Sequence, residues 1–465
     1  MLFNSFSYLL FLPFVTIAFF LLPHRMRWLF LLLASCFFYM FFKPEYILIL
    51  AFTIIIDYYA GILIASTDDK KRKKWFLIMS LFANISILAV FKYYNFINAN
   101  ITGLAAIMGF NVDIPLLRIL LPIGLSFHTF QAMSYTIEVY RGNQTPERHF
   151  GIYSLYVMFF PQLVAGPIER PQNLLHQFHE PKEFDAYRIV SGVKLISWGL
   201  FKKLVIADRL APMVDQVYNH PGDYHGLNVV LATLFFAEQI YCDFSGYSDI
   251  AIGSARVLGF NLMKNFRNPY LSKSVSEFWS RWHISLSTWF RDYLYIPLGG
   301  NRVRVPRWMM NLLITFLISG LWHGANWTFI IWGGLNGLFI VSEILMARWF
   351  KNIRVPAAVK HVLTLILICF TWLFFRANNL HDAGLLIKNM FSTQTEIAYS
   401  YLELVLAFFF IIGLEMIQYA DEKYRAFSRV KALPYMARMF VYAVFLTLLL
   451  NFGIFNNSQF IYFQF

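Results

Sequence analysis

Apolar runs long enough to cross a lipid bilayer recur along the whole chain, separated by connections that carry most of its charge. They lie at about Phe6–Leu22, between Arg27 and Lys43, and at Tyr46–Ile64, Trp75–Phe91, Ile114–Val139, Gly151–Val164, Leu227–Ile252, Trp308–Leu321, Trp327–Leu345, Val362–Phe375, Tyr401–Ile417 and Met436–Phe455. A spanning helix needs about 20 mostly apolar residues, so ten to twelve spans would occupy roughly 200 to 240 positions. Only 14% of the 465 residues are charged, and the mean hydropathy is +0.54. A soluble globular fold is excluded. The expected fold is an all-α polytopic membrane protein with about 11–12 transmembrane helices plus re-entrant or amphipathic helices, built as one integral domain over 1–465. Residues 436–465 form its last helix and an aromatic tail.

The net charge of +13 does not point to nucleic acid, because the basic residues are dispersed between apolar segments and suit an anionic lipid surface. The densest cluster, Lys70–Lys74, follows an apolar run, and loops rich in Lys and Arg stay cytoplasmic. Anchoring there puts Arg25 and Arg27 inside, Lys43–Glu45 outside and the N-terminus outside. The first run has no preceding basic residue and no small-x-small site after it, so it reads as a span, not a cleaved signal peptide. Cys36, Cys242 and Cys369 lie far apart in apolar sequence and give no disulfide framework.

Two regions, Gly166–Arg188 and Asn261–Arg307, mix Pro, Gly, Trp and charged residues without a spanning period. They read as amphipathic or re-entrant helices. Trp279, Trp282 and Trp289 with Arg281 and Arg291 fit a helix at the headgroup level, where indoles favour the interface. Pro122 and Gly124 interrupt another run, and such breaks survive in a membrane only where protein or a watery cavity satisfies the freed backbone.

The sharpest local feature is Ser319–Trp327, in which His323 ends an apolar run between Gly320 and Gly324. Small neighbours let a backbone or ligand approach, and an ionisable residue at membrane depth is a functional candidate. A histidine hydrogen-bonded into the bundle is the competing reading. Upstream, His283 is again flanked by large aromatics. His176 and His179 are closely spaced but lack Cys partners, so no metal site is expected. Asp57, Glu138, Glu238, Asp243 and Asp249 lie in apolar sequence, where a lipid-facing carboxylate costs about 2.5–3.5 kcal/mol, so they must face the interior or an interface. The Asp243–Asp249 stretch can bind a cation or pair with Arg256.

Pro161–Ile168, Asp243–Asp249, Phe278–His283, Leu321–Gly324 and the final Phe460–Phe465 together closely resemble the membrane-bound O-acyltransferase (MBOAT) family. Within it they are similar to the bacterial branch of alginate and peptidoglycan O-acetyltransferases and the teichoic acid D-alanylation protein. The resemblance implies a helical ring around a tunnel, in the bacterial cytoplasmic (inner) membrane. It implies His323 as the catalytic histidine and His283 as the second active-site histidine, with Trp322, Asn326, Trp282 and Asp243 lining the site. The donor it implies is a cytoplasmic thioester, acetyl-CoA before an acyl carrier protein, with no permanently bound cofactor and no metal. The acceptor is the hydroxyl of an extracytoplasmic polysaccharide, reached through a separate extracytoplasmic acyltransferase partner. The aromatic ending is similar to that of a small partner protein in the D-alanylation branch, which makes Tyr462 a candidate acyl relay. An aromatic anchor is the alternative for that residue.

A transporter or flippase of envelope precursors is the competing function, since many spans and interior charges suit it as well. Transporters often carry matching broken helices in two halves. Here the breaks and the His motifs fall in unmatched segments. A scaffolding protein would leave His323 dispensable.

Overall fold

The computed structural model describes residues 1–117, 122–164, 166–350, 355–393, 396–455 and 460–461, and helix is the regular structure found among them. Eight helices there are long and apolar enough to cross a membrane: Tyr46–Ser66, Lys70–Ile107, Leu227–Leu258, Val305–His323, Trp327–Trp349, Ala357–Arg376, Tyr401–Tyr424 and Tyr435–Phe452; Phe6–Leu21 is a shorter apolar helix. Tyr435–Phe452 buries only Leu449 against protein, so its remaining apolar side chains need lipid as their apolar phase. The chain is a multi-pass membrane protein.

It divides into two compact units, Met1–Ile196 with Ile250–Met263, and Ser197–Asp249 with Lys264–Phe465. In the first, the fully buried Asp57 on helix 46–66 accepts hydrogen bonds from Ser80 Oγ at 2.5 Å and from Asn84 Nδ2 at 2.9 and 3.0 Å. These donors on helix 70–88 satisfy an acid that could not face lipid. Within the run expected over Ile114–Val139 a helix begins at Leu125, directly after Gly124, which sits at φ +78 with the chain of Leu163 against it. A Cβ there would lie 2.6 Å from the Leu163 carbonyl oxygen. The Gly151–Val164 run splits into Phe150–Met158 and Phe160–Leu163, since Pro161 has no N–H with which to continue the first helix.

In the second unit, helices Val305–His323 and Trp327–Trp349 form a close hairpin. A Cβ on Gly320 would meet the Phe329 carbonyl oxygen at 2.3 Å, and one on Gly333 the Phe316 carbonyl oxygen at 2.3 Å. The polar 261–307 stretch folds into short helices Val275–Arg281 and Ile284–Phe290. Its tryptophans do not form the interfacial belt expected of them. Trp282 and Trp289 are buried in protein, and Trp279 donates its indole N–H to Asn336 Oδ1 at 3.1 Å. Trp282 stacks on Phe278 and packs against Trp372, so rings available for a headgroup layer are spent on the core instead.

Candidate active site

Helix 305–323 ends on His323. Gly324 leaves it in extended conformation, and Asn326 starts the next helix by accepting the Thr328 N–H on Oδ1 at 3.1 Å. The turn is tight enough that a Cβ on Gly324 would lie 2.1 Å from the Phe329 ring. His323, 4% exposed, is thereby held edge-on to the rings of Trp322, Trp332 and Phe375, with centroids 4.9, 5.0 and 5.4 Å away. The Trp332 indole N–H is buried with no hydrogen-bond partner among the described residues. An unused donor beside an imidazole in an apolar cage is costly unless something else takes it up.

His283 lies between helices 275–281 and 284–290 at φ 43 and ψ 55, a left-handed conformation rare for a residue with a side chain. What holds it is Asn265. Its Oδ1 accepts Ser285 N–H at 3.2 Å, Ser285 Oγ–H at 2.9 Å and His283 Nδ1 at 3.1 Å, while its Nδ2 donates to Ser248 Oγ at 3.1 Å. The backbone N–H of Ser285 can only donate, which fixes the amide's orientation. Nδ1 must then carry the imidazole proton, leaving Nε2 as the acceptor nitrogen. Burial pushes the imidazole down to about 3, so it stays neutral at physiological pH. The rings of Phe244 and Trp322 lie 4.6 and 6.5 Å from it. Trp322 therefore touches both histidines, and the structure brings the two sequence motifs to one aromatic wall.

Asp243 belongs to a buried ion cluster. Lys203 Nζ lies 2.7 Å from Asp243 Oδ1 and 2.9 Å from Asp208 Oδ1. Burial alone would lower the Lys203 ammonium, but the two carboxylates outweigh it and hold it above its usual range. Arg256, one of the partners the sequence offered, instead donates to Ser191 Oγ at 3.2 Å. Asp249 takes Lys202 at 2.7 Å. Both lysines lie on the π-helical turn Phe201–Ala207, far upstream in sequence, and nothing local to the acidic motif marks them. The second oxygen of Asp243 accepts the Ile461 N–H at 2.7 Å, and Phe460 stacks on Tyr247 at 4.5 Å. Phe460 also lies 5.5 Å from Phe244, the ring that borders His283. Tyr462 lies outside the described residues.

Of the remaining expected lining residues, Trp322 faces the histidines, while Trp282 is core. Asn326 caps a helix and donates to the Asn378 carbonyl at 2.8 Å. His179 pairs with Glu147 at 2.7 Å and His176 lies 3.7 Å from Glu180. Sequence reasoning missed Asn265, Lys203 and Trp332, whose parts depend on neighbours distant in the chain.

The model of the membrane-bound O-acyltransferase family matches residues 148–381, which contain both histidines. The probable alginate O-acetylase AlgI of Azotobacter vinelandii is 39% identical over 407 residues, covering 84% of this chain and 78% of that protein. The peptidoglycan O-acetyltransferase of Helicobacter pylori is 35% identical over 390 residues, covering 78% and 73%. The teichoic acid D-alanyltransferase of Bacillus subtilis is more distant, 25% identical over 279 residues, covering 56% and 69%. The chain belongs to the membrane-bound O-acyltransferase family. It is an O-acyltransferase, and the transporter reading is not favoured.

Proposed function

We propose that this enzyme resides in a bacterial cytoplasmic membrane and moves acetyl groups from cytoplasmic acetyl-CoA to the hydroxyls of an extracytoplasmic polysaccharide. Two relatives at 39% and 35% identity carry the names of an alginate O-acetylase and a peptidoglycan O-acetyltransferase, which supports acetyl as the group and a glycan as its destination. The observation that carries the chemistry is the burial of His323 at a helix end, edge-on to Trp332 with its unused N–H.

In this reading the His323 imidazole removes the acceptor hydroxyl proton as the oxygen attacks the thioester carbonyl, a contribution typically worth about 100- to 10,000-fold. The Trp332 N–H donates to the carbonyl oxygen as negative charge develops there. The tetrahedral adduct expels the CoA sulfur, which takes the proton back from the imidazolium. Partial negative charge at the C-terminus of helix 305–323 favours that transient cation. His283, held in one tautomer by Asn265, supplies an acceptor at Nε2 that can orient a hydroxyl.

Inside-out membrane vesicles should release CoA from added acetyl-CoA without permeabilisation. Release confined to right-side-out vesicles would reverse the assigned sidedness.

The first acceptor we assign is the Tyr462 phenol, from which a separate extracytoplasmic transferase carries the acetyl group to the glycan. The docking of Phe460 and Ile461 onto Tyr247 and Asp243, next in sequence to Tyr462, supports this. Tyr462→Phe keeps the ring and loses only the nucleophile. It should insert normally and stop glycan acetylation; full acetylation by that variant means the segment is an anchor.

A further inference from the structure

A cavity of about 400 Å³ in the second unit is faced by two carboxylates, Glu238 from helix 227–258 and Glu415 from helix 401–424. Glu238 is 6% exposed, and its Oε2, like Glu415 Oε1, is buried without a hydrogen-bond partner among the described residues. Three of the cavity's other polar groups are occupied, the Tyr419 hydroxyl by accepting from Lys423 Nζ at 3.2 Å. The Tyr270 hydroxyl donates to the Ala237 carbonyl at 2.5 Å, and His361 Nδ1 donates to the Ser272 carbonyl at 3.1 Å. Among the described residues no Lys or Arg lines the space, and Leu234, Leu365, Ile411 and Ile412 make much of its wall. Buried carboxylates elsewhere in this chain are matched, Asp57 by Ser80 and Asn84, Asp243 by Lys203. Among the described residues this pair lacks such a match, and a buried charge needs one.

The missing partner has to bring donors and positive charge in an apolar body. A bare metal ion fits poorly, since hard cations take about six or more oxygen ligands and leave no use for an apolar wall of this size. A phospholipid amine would bring a phosphate beside two acids. An alkylammonium group meets the requirement. Its N–H donors reach the orphaned oxygens, its one charge balances one carboxylate while the other keeps its proton, and its chain lies along the leucines and isoleucines. We propose that this cavity binds a membrane-soluble primary alkylamine, a site separate from the acyl-transfer chemistry of His323.

The test uses the full chain in lipid nanodiscs with decylamine as probe and decanol as its uncharged counterpart. Dicyclohexylcarbodiimide adds to a protonated carboxyl within an apolar site, giving an acylisourea that rearranges to a stable acylurea with no atom lost. Peptide mass spectrometry should find that adduct at Glu238 or Glu415, and decylamine should slow its formation by about tenfold or more while decanol does not. Radiolabelled decylamine should bind the Glu238→Gln, Glu415→Gln double variant about tenfold or more weakly, with decanol binding unchanged. Equal protection by amine and alcohol, protection by magnesium chloride alone, no labelling at either glutamate, or unaltered decylamine binding by the double variant would each overturn the proposal.

Discussion

At His323 the two flanking glycines do different jobs. Gly320 lets the chain of Phe329 approach, and Gly324 makes room for the Phe329 ring, so the imidazole is presented at the end of a rigid helix instead of on a loop. The glycines and the end of the apolar run marked His323 as a candidate in the sequence, beside the competing reading of a histidine hydrogen-bonded into the bundle. Trp332 was not marked. A tryptophan inside an apolar helix reads as packing, and the role proposed for it rests on its distance to His323 and its unused N–H. Trp332→Phe preserves most of the ring contact and removes the donor. Its kcat for acetyl transfer should fall about 100- to 1000-fold with KM little changed, the size expected for one lost oxyanion donor. Steady-state rates of the purified variant within twofold of the parent enzyme would remove Trp332 from the mechanism. His283 shows the same limit of sequence: its aromatic flanks were visible, but the asparagine that fixes its tautomer sits 18 positions upstream.

Between helices the governing fact is the glycine contact in the 305–323 and 327–349 hairpin. Gly333→Val would drive a side chain into the Phe316 carbonyl oxygen, 2.3 Å from the new Cβ, with Gly320 Cα at 3.1 Å. The helices must separate, at a cost of about 1–3 kcal/mol for overpacking, and His323 and Trp332 lose their register. Gly334→Ala is the control, because its Cβ would meet only Leu317 at an ordinary 3.4 Å. Thermal unfolding of the detergent-solubilised protein should show a lowered midpoint for Gly333→Val and little change for Gly334→Ala; equal midpoints would mean the contact carries no packing load. Apolar periodicity located these two helices to within a few residues. The break expected at Pro122 and Gly124 is where the structure starts a helix at Leu125, but the tryptophans of 279–289 were misassigned. Interface and core place the same demand on an indole's apolar face, and composition alone does not separate them.

For the whole molecule, the multi-pass character was written in hydropathy, since an aqueous fold has no place for so many apolar runs. What hydropathy could not supply is which short runs cross and which partners the interior charges take. Asp243 finds Lys203 and not Arg256 because π-helical turn 201–207 carries that lysine to it, a tertiary fact with no local signal. Assembled, these parts make one central claim: that His323 performs acetyl transfer destined for a glycan beyond the membrane. Mass spectrometry of envelope and secreted glycans tests it most directly, in cells carrying the parent protein, lacking it, or carrying His323→Ala at equal membrane abundance. The account predicts one acetyl ester present with the parent protein and lost in both other strains. The same ester persisting at parental level with His323→Ala would contradict it.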